Sequence, residues 1–440
     1  MAGIVNSTKK RFVINKRIKE VEVPGSSLNT ALFLSDLPSV GVTPNAGLLN
    51  QELAGLPTIA KNEATTALVG GATMIGRVFG MNGDTKSIEG FSFSRNSAAT
   101  RWASDGKIYT VAPNDVRYDQ DPKSGAYKGM LFEKAATNLL TYSGFPRGLQ
   151  DLASSSSGYV NYTDTTWNKG SLLEKGVSIV HNPAAVSWAY KQHLGAVVNN
   201  SYTFSCFLKM SDGLSPVGGI KVNMFNVLYT DFILEDIGVG VYRLVITKKF
   251  LAGGNNYVGI VKESSGDNRT VVVTGYQLEE SEIATTYIPT DSSIGTRLEE
   301  VLTCERQIDH FPEYSVFIKG YYVSSKLDNQ SSMFILKDAS ARYWFHTYTA
   351  AQPENIRAYN GIGGITIVAQ EKIEHKVAVR RDLTNYSMCV NAGSVQTDNS
   401  LFPLVQQNIV IRGSQAAFTL RALAIIPRKL SDAELISITS

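Results

Sequence analysis

Aromatic side chains are the residues of this sequence best suited to recognising a small polar molecule. A ring offers an apolar surface on which the C–H face of a sugar can stack, while sugar hydroxyls need amide or carboxylate partners. For any single ring the competing interpretation is burial between two sheets, which β-sandwiches also achieve with aromatic residues. The candidates are Trp167, Trp188, Tyr190, Tyr229, Trp344 and Tyr348.

Catalytic motifs are absent from the sequence. It contains no phosphate-binding loop, dinucleotide fingerprint, H-E-x-x-H or G-x-S-x-G. A glycosidase needs two carboxylates across a sugar-binding cleft. Glu279, Glu280 and Glu282 are close in sequence, but the first belongs to a strand pattern and the others are typical of a solvated edge. We therefore predict no catalytic residue and no enzyme.

Metal-ligand spacings are also absent. The five histidines are scattered, and Cys206, Cys304 and Cys389 are too far apart for a C-x-x-C site and too few for a disulfide framework. Acidic residues near 119–121 and 231–236 lack the spacing of a calcium loop. We predict no metal and no cofactor, with the cysteines buried as small apolar side chains.

Length and charge constrain the broad class. A chain of 440 residues with a net charge of +3 favours about three domains and gives no global electrostatic case for nucleic acid or membrane. A basic N-terminal stretch is diluted by Glu20 and Glu22, so solvated strand faces are favoured over a nucleic-acid arm. No membrane-spanning run and no secretion signal are apparent, and we expect synthesis in the cytoplasm.

Short alternating segments separated by Gly, Asn, Asp and Ser predict a mainly β protein. Segments such as 201–209, 220–224 and 242–246 indicate an antiparallel sandwich of jelly-roll type. A second sandwich follows, closed by a short helix with a capping box at Ser431 and Glu434. We predict an N-terminal attachment region at 1–90, a short β linking module at 91–145, and sandwiches at 146–296 and 297–440.

Residues 91–140 carry an ordered series of short motifs. It comprises R-x-S-x-A-T from Arg95, D-G at 105–106, Arg117 with Asp119, G-x-L-x-E ending at Glu133, and T-N-L at 137–139. The series resembles a module of virion appendage proteins of tailed bacteriophages, although Val116 stands where that module usually has proline. That resemblance implies a virion protein assembled inside the host cell.

The charged residues of this module have two interpretations. We expect Arg95, Arg101, Asp119 and Glu133 to form internal ion pairs and turns, with a ligand-binding role as the alternative.

Two further segments resemble lectin-like domains. Residues 275–279 and 285–290 are similar to the end of a carbohydrate-binding-module-like jelly roll, and R-x-L-S-x-x-E-L at 428–435 resembles the C-terminus of concanavalin-like, laminin-G-like domains. The jelly-roll resemblance selects the predicted glycan site, which is Trp188, Tyr190, Gln192 and Tyr229.

These resemblances imply a structural appendage (fibre) protein of a tailed-phage virion that adheres to host-surface glycans. Residues 1–90 would attach to other virion proteins, and a homotrimer is the expected assembly, with no nucleic acid and no membrane insertion. The alternatives are a purely structural head or tail fibre or decoration protein without receptor binding, and a polysaccharide-degrading tailspike.

Overall fold

The computed structural model describes most of the chain from residue 91 onward and short strands before it. The described residues are 8–14, 17–23, 66–69, 72–75, 78–81, 91–153, 159–165, 167, 171–193, 195–251, 256–265, 267–304, 313–324, 331–337, 342–348, 355–359, 364–368, 373–382, 384–400, 408–412, 417–426 and 428–440. The chain forms two compact units, Met1–Gln51 and Glu52–Ser440.

The first unit contains one antiparallel hairpin. Its strands are β1 (Thr8–Ile14) and β2 (Arg17–Val23), paired from Ile14 opposite Arg17 to Thr8 opposite Val23. The rest of the predicted attachment region, apart from three short strands of the second unit, lies outside the described residues.

The second unit is built almost wholly of strands. Its first part contains β3 (Thr66–Val69), β4 (Ala72–Ile75), β5 (Val78–Met81), β6 (Phe91–Ser94), β7 (Ala99–Trp102), β8 (Ile108–Val111), β9 (Tyr118–Gln120), β10 (Tyr127–Glu133) and β11 (Ala136–Asn138). A short 3-10 helix, Gly148–Asp151, follows. The middle part contains β12 (Val160–Asp164), β13 (Lys175–Ile179), β14 (Ser187–Gln192), β15 (Ser201–Met210), β16 (Lys221–Met224), β17 (Val227–Tyr229), β18 (Ile233–Gly238), β19 (Val241–Lys249), β20 (Tyr257–Lys262) and β21 (Val271–Glu279).

The last part contains β22 (Gly295–Arg297), β23 (Val301–Cys304), β24 (Tyr314–Ser324), β25 (Ser331–Lys337), β26 (Arg342–Tyr348), β27 (Asn355–Tyr359), β28 (Gly364–Val368), β29 (Glu374–Arg381), β30 (Tyr386–Val390), β31 (Gln396–Asp398), β32 (Asn408–Arg412), β33 (Ala417–Ile426) and the helix α1 (Asp432–Thr439). Every strand pairing in the described part of the chain is antiparallel, and the mainly β prediction is confirmed. Of the described helices, none is long and apolar enough to cross a membrane.

The middle strands form a β-sandwich of jelly-roll type. A six-stranded sheet, β12-β13-β21-β15-β19-β18, faces a four-stranded sheet, β14-β20-β16-β17. Strand β21 is buried along most of its length because it lies between β13 and β15. Strand β14 instead alternates buried with partly or fully exposed residues, because only one of its faces meets the core.

The C-terminal sandwich recruits strands from the N-terminal half. On one side of β33, residues 417–420 pair with β10 and residues 422–425 pair with β3. Strand β33 lies in a ten-stranded sheet. Strand β6 likewise pairs with β23 at the edge of the other sheet of this sandwich, the seven-stranded β28-β27-β26-β25-β32-β23-β6. The core between the sheets includes Phe93, Met130 and Phe132 beside Leu423. Strands β3, β6 and β10 are therefore part of the sandwich that contains the last third of the chain.

The jelly roll leaves and rejoins the rest of the unit through a two-stranded ribbon. Its strands are β11 and β22, with Asn138 opposite Gly295 and Ala136 opposite Arg297. Residues 139–294 are thus inserted between two paired strands. We call β11 and β22 the ribbon.

The predicted capping box is confirmed at the start of α1. The Ser431 hydroxyl accepts a hydrogen bond from the Glu434 backbone N–H at 3.3 Å, and the Glu434 carboxylate accepts one from the Ser431 N–H at 2.7 Å. This satisfies two backbone donors at the start of the helix.

Candidate functional site

A buried ionic cluster lies where the linking module meets the ends of the jelly roll. Its members are Arg95, Arg117, Glu133, Arg297 and Glu300, which we call the ionic cluster. Arg117 contacts Glu133 at 2.8 Å and Glu300 at 2.6 Å. Arg95 contacts Glu300 at 3.2 Å, and Arg297 contacts Glu133 at 2.5 Å. These five side chains are at most 3% exposed.

The cluster keeps the Glu133 carboxylate ionised despite burial. Burial alone would raise the pKa of Glu133, but the charges of Arg297 and Arg117 and hydrogen bonds from Thr286 lower that pKa to about 2. Thr286 donates its backbone N–H and its hydroxyl to Glu133 at 2.8 and 2.6 Å. Because Thr286 follows the last strand of the jelly roll, this contact fastens the jelly roll to the linking module.

The motif residues of the module are therefore structural. The prediction of internal ion pairs is confirmed for Arg95 and Glu133. Arg101 donates to the carbonyl oxygen of Trp102 at 3.2 Å, and Asp119 accepts from the Trp102 N–H at 3.1 Å. Burial raises the pKa of Asp119 to about 6.

Asn138 of the T-N-L motif fixes the ribbon to the jelly roll. Its amide donates to the carbonyl oxygens of Tyr276 and Ile288 at 3.2 and 3.0 Å. Its side-chain oxygen accepts from the backbone N–H groups of Leu140 and Leu278, at 3.2 and 3.1 Å. All the hydrogen-bonding capacity of this buried amide is used inside the protein.

An aromatic surface covers the outer side of the four-stranded sheet. The register places Trp188 opposite Val261, Tyr190 opposite Gly259 and Gln192 opposite Tyr257. Residues directly opposite each other project to the same side of a sheet. Intervening residues such as Ala189, Val222, Val258 and Ile260 belong to the buried core. The rings therefore lie on the side away from the core.

The rings form a row of nearly parallel planes. Centroids of Trp188 and Tyr190 are 5.9 Å apart at 18°, and those of Tyr190 and Tyr257 are 5.8 Å apart at 20°. Each of the three residues is partly exposed. Asn223, opposite Gly259 on the next strand, hydrogen-bonds to Tyr190. We call Trp188, Tyr190, Gln192, Asn223 and Tyr257 the aromatic face.

Gly259 makes room at the centre of the aromatic face. A Cβ atom there would lie 2.1 Å from the carbonyl oxygen of Ala189, closer than van der Waals contact allows. The glycine lets β14 and β20 approach normally and leaves no side chain between Tyr190 and Asn223.

The structure brings together three of the four predicted glycan-site residues. Trp188, Tyr190 and Gln192 lie on the aromatic face, and Gln192 is exposed. Tyr229 is opposite Val222 and packs against the core, with the Lys248 Nζ 4.5 Å from its ring centroid. It lies on the other side of the same sheet.

Two members of the aromatic face were missed from the sequence. Tyr257 and Asn223 belong to alternating segments that the sequence does identify as strands. Alternation shows which residues of one strand share a face, but it does not show which strands are neighbours. Nothing local in the sequence therefore places Tyr257 or Asn223 beside Trp188.

The remaining ring candidates lie elsewhere. Trp167 is partly exposed, with the Lys209 Nζ 6.0 Å from its ring centroid. The side chains of Trp344 and Tyr348 are outside the described residues.

The acidic residues near the end of β21 are engaged within the protein. Glu279 is buried and accepts hydrogen bonds from the Thr285 N–H and hydroxyl at 3.0 and 2.7 Å. Burial raises the pKa of Glu279. Glu280 accepts from the Asn200 amide at 2.6 Å.

Neither the histidines nor the cysteines form a metal site in the described ranges, where no group of three or more His, Cys, Asp or Glu could hold an ion. Cys206 and Cys389 are buried, as predicted, and burial raises the pKa of the Cys206 thiol. The side chain of Cys304 is outside the described residues.

Comparison with known proteins finds partial structural likeness only. No protein-family model and no curated protein matches the sequence. Trypanosoma rangeli sialidase matches at 11% identity over 29% of this chain and 22% of the sialidase, with a TM-score of 0.25. Domain 4 of AbnA, a GH43 extracellular arabinanase from Geobacillus stearothermophilus in complex with arabinotriose, matches at 10% over 36% and 83% of the two chains, with a TM-score of 0.26.

The binding domain of botulinum neurotoxin serotype D matches at 12% identity over 31% of this chain and 40% of that domain, with a TM-score of 0.26. The match thus spans less than a quarter of the sialidase and less than half of the neurotoxin domain. These likenesses assign neither an activity nor a ligand to this chain.

Proposed function

We propose that this chain is a fibre protein of a tailed-phage virion that adheres to host-surface glycans through the aromatic face. The observation that carries the proposal is the row of three partly exposed rings beside the exposed amide of Gln192 on one side of a sheet. Rings supply stacking surfaces and amides supply hydrogen bonds, the combination that sugar recognition requires. The virion assignment rests on the resemblance of residues 91–140 to phage appendage modules.

The surrounding architecture suits such a role. The aromatic face lies on regular strands, which hold side chains more accurately than loops do. The ribbon, the ionic cluster and Asn138 tie the jelly roll to the neighbouring sandwich at several points. In this proposal residues 1–90 attach to other virion proteins, and the chain assembles as a homo-oligomer, with a trimer expected.

Adsorption of the purified chain to host cells tests the adhesion proposal. The double variant Trp188→Ala/Tyr257→Ala should lower the amount bound at least about tenfold, since interface aromatic residues often contribute more than 1.4 kcal/mol. Tyr159→Ala is the matched control, because Tyr159 is 45% exposed and precedes β12 in the other sheet. Equal adsorption of the two variants and the wild type would contradict the proposal.

The virion assignment has its own test. Electron cryo-microscopy of the intact particle should trace this chain with the jelly roll projecting outward. A particle without this chain would remove the assignment.

A purely structural fibre is the second candidate. It is favoured by the engagement of Arg95, Arg117, Asn138 and other motif residues in internal contacts alone. Under this alternative the double variant would assemble into particles and adsorb like the wild type.

Our proposal gives the chain no catalytic role. Release of reducing sugar ends from a host polysaccharide by the purified chain would instead support a polysaccharide-degrading spike.

A further inference from the structure

Charge is balanced on the aromatic face. Within the strands described, the register places one charged residue on this side of the sheet, Lys221, in the row of Val261 and Trp188. The Lys221 Nζ lies 2.6 Å from the Glu263 carboxylate. Both side chains are about one-third exposed, at 32% and 38%. Glu263 therefore neutralises the charge that the described strands place on this face.

Two other lysines of the same sheet are directed away from this face. Lys191, opposite Val258, is 3% exposed and donates to the backbone carbonyls of Thr141, Tyr142 and Asp151 at 2.8 to 3.1 Å. Lys262 is 1% exposed and donates to the Gly219 carbonyl at 3.0 Å. Their ammonium groups are used inside the jelly roll and do not supply positive charge to a ligand on the outer side.

An acidic sugar on this face would lose hydration and would meet Lys221 already paired with Glu263, whose carboxylate repels a second anion. Carboxylates and sulfates are recognised strongly by charge-assisted bonds from arginine or lysine, and an ion desolvated without one is costly. Rings and amides have no such preference, since they recognise C–H faces and hydroxyl groups.

We infer that the aromatic face takes an uncharged glycan, recognised by ring stacking and by hydroxyl hydrogen bonds to Gln192, while the buried Asn223, which accepts from the Asn226 N–H at 2.9 Å and hydrogen-bonds to Tyr190, holds that ring in place. This inference rests on the proposed adhesion function and specifies its ligand class.

A glycan array probed with the full chain at low and high NaCl concentrations tests the inference. Uncharged glycans should bind with nearly the same affinity at both concentrations, because salt screens charge pairs and leaves stacking unaffected. Trp188→Ala should weaken that binding at least about tenfold, and Tyr159→Ala should not. Gln192→Ala changes an exposed residue and should weaken binding without any repacking of the fold.

The charge pair offers a sharper test. Glu263→Gln removes the partner of Lys221, so this variant should gain salt-sensitive binding to acidic glycans that the wild type lacks. Wild-type binding confined to acidic glycans, or lost at high salt, would overturn the inference and leave the adhesion proposal standing. Failure to bind any glycan, or binding unaffected by both Trp188→Ala and Gln192→Ala, would overturn the adhesion proposal and this inference with it.

Discussion

The ionic cluster and the aromatic face use polar and aromatic chemistry in opposite ways. In the ionic cluster, charged side chains at most 3% exposed engage one another and Thr286. On the aromatic face, rings remain partly exposed and Gln192 is exposed. The most recognisable motifs of this sequence therefore belong to its scaffold, while the residues of the aromatic face carry no motif.

Substitutions in the ionic cluster should lower stability more than substitutions on the aromatic face. Arg117→Ala leaves Glu133 and Glu300 buried without this partner, and breaking a buried ion pair costs about 3–5 kcal/mol. The free energy of unfolding, measured by denaturant titration, should fall by that amount. Lys123→Ala removes an exposed ion pair with Asp236 and should leave the unfolding midpoint unchanged. Equal effects of the two variants would show that the cluster is not special.

Lowering the pH should reveal how much the ionic cluster contributes to stability. The pKa of Glu133 is lowered from 4.5 to about 2, so the unfolded chain binds the extra proton between these values. The corresponding stability is present above pH 4.5 and is lost as pH falls toward 2, by roughly 3 kcal/mol. The raised pKa of Asp119, about 6, acts with the opposite sign at higher pH, between about 6 and 4.

Thermal unfolding at a series of pH values measures this loss. The decline between pH 4.5 and 2 should be shallower in Glu133→Gln than in the wild type. Identical slopes would argue that other carboxylates control the acid response.

Substitution of Asn138 should cause the next-largest loss of stability. Asn138→Ala leaves the carbonyls of Tyr276 and Ile288 and two backbone N–H groups without this partner. Unsatisfied buried groups cost about 1–3 kcal/mol each, so we expect a loss of at least about 2 kcal/mol. The exposed Asn161→Ala serves as the control in the same denaturant titration. A loss no larger than that of the control would mean that water replaces the amide.

The smallest effect on stability is expected on the aromatic face. Trp188→Ala removes one stacked pair, worth about 1 kcal/mol, from a partly exposed site. Its unfolding midpoint should therefore lie close to that of the wild type, although the proposed glycan binding should be at least about tenfold weaker. A loss as large as that of Arg117→Ala would place Trp188 with the scaffold and would weaken the contrast between the two regions.

Local pattern was enough to predict much of the fold. Alternation identified β15 and β19 as strands, and the Ser431 capping box fixed the start of α1. Local pattern could not predict which strands pair, because partners such as β3 and β33 are separated by most of the sequence. The same limit explains why part of the aromatic face was not predicted, because the pairing register decides which side chains lie together on one side of a sheet. Register puts Tyr257 beside Gln192 and turns Tyr229 to the core. The predicted domain boundaries remain predictions.

The ribbon has a consequence for how such a chain can change over generations. Asn138 and Gly295 are cross-strand partners, so for the remaining sandwich everything between them is one closed loop. The entropy of closing a loop grows only slowly with its length. A recombination event that replaced residues 139–294 with a domain of another size would cost the host sandwich little, provided that the newcomer satisfied Glu133 as Thr286 does. The inserted domain and the sandwich that carries it could then diversify independently of each other.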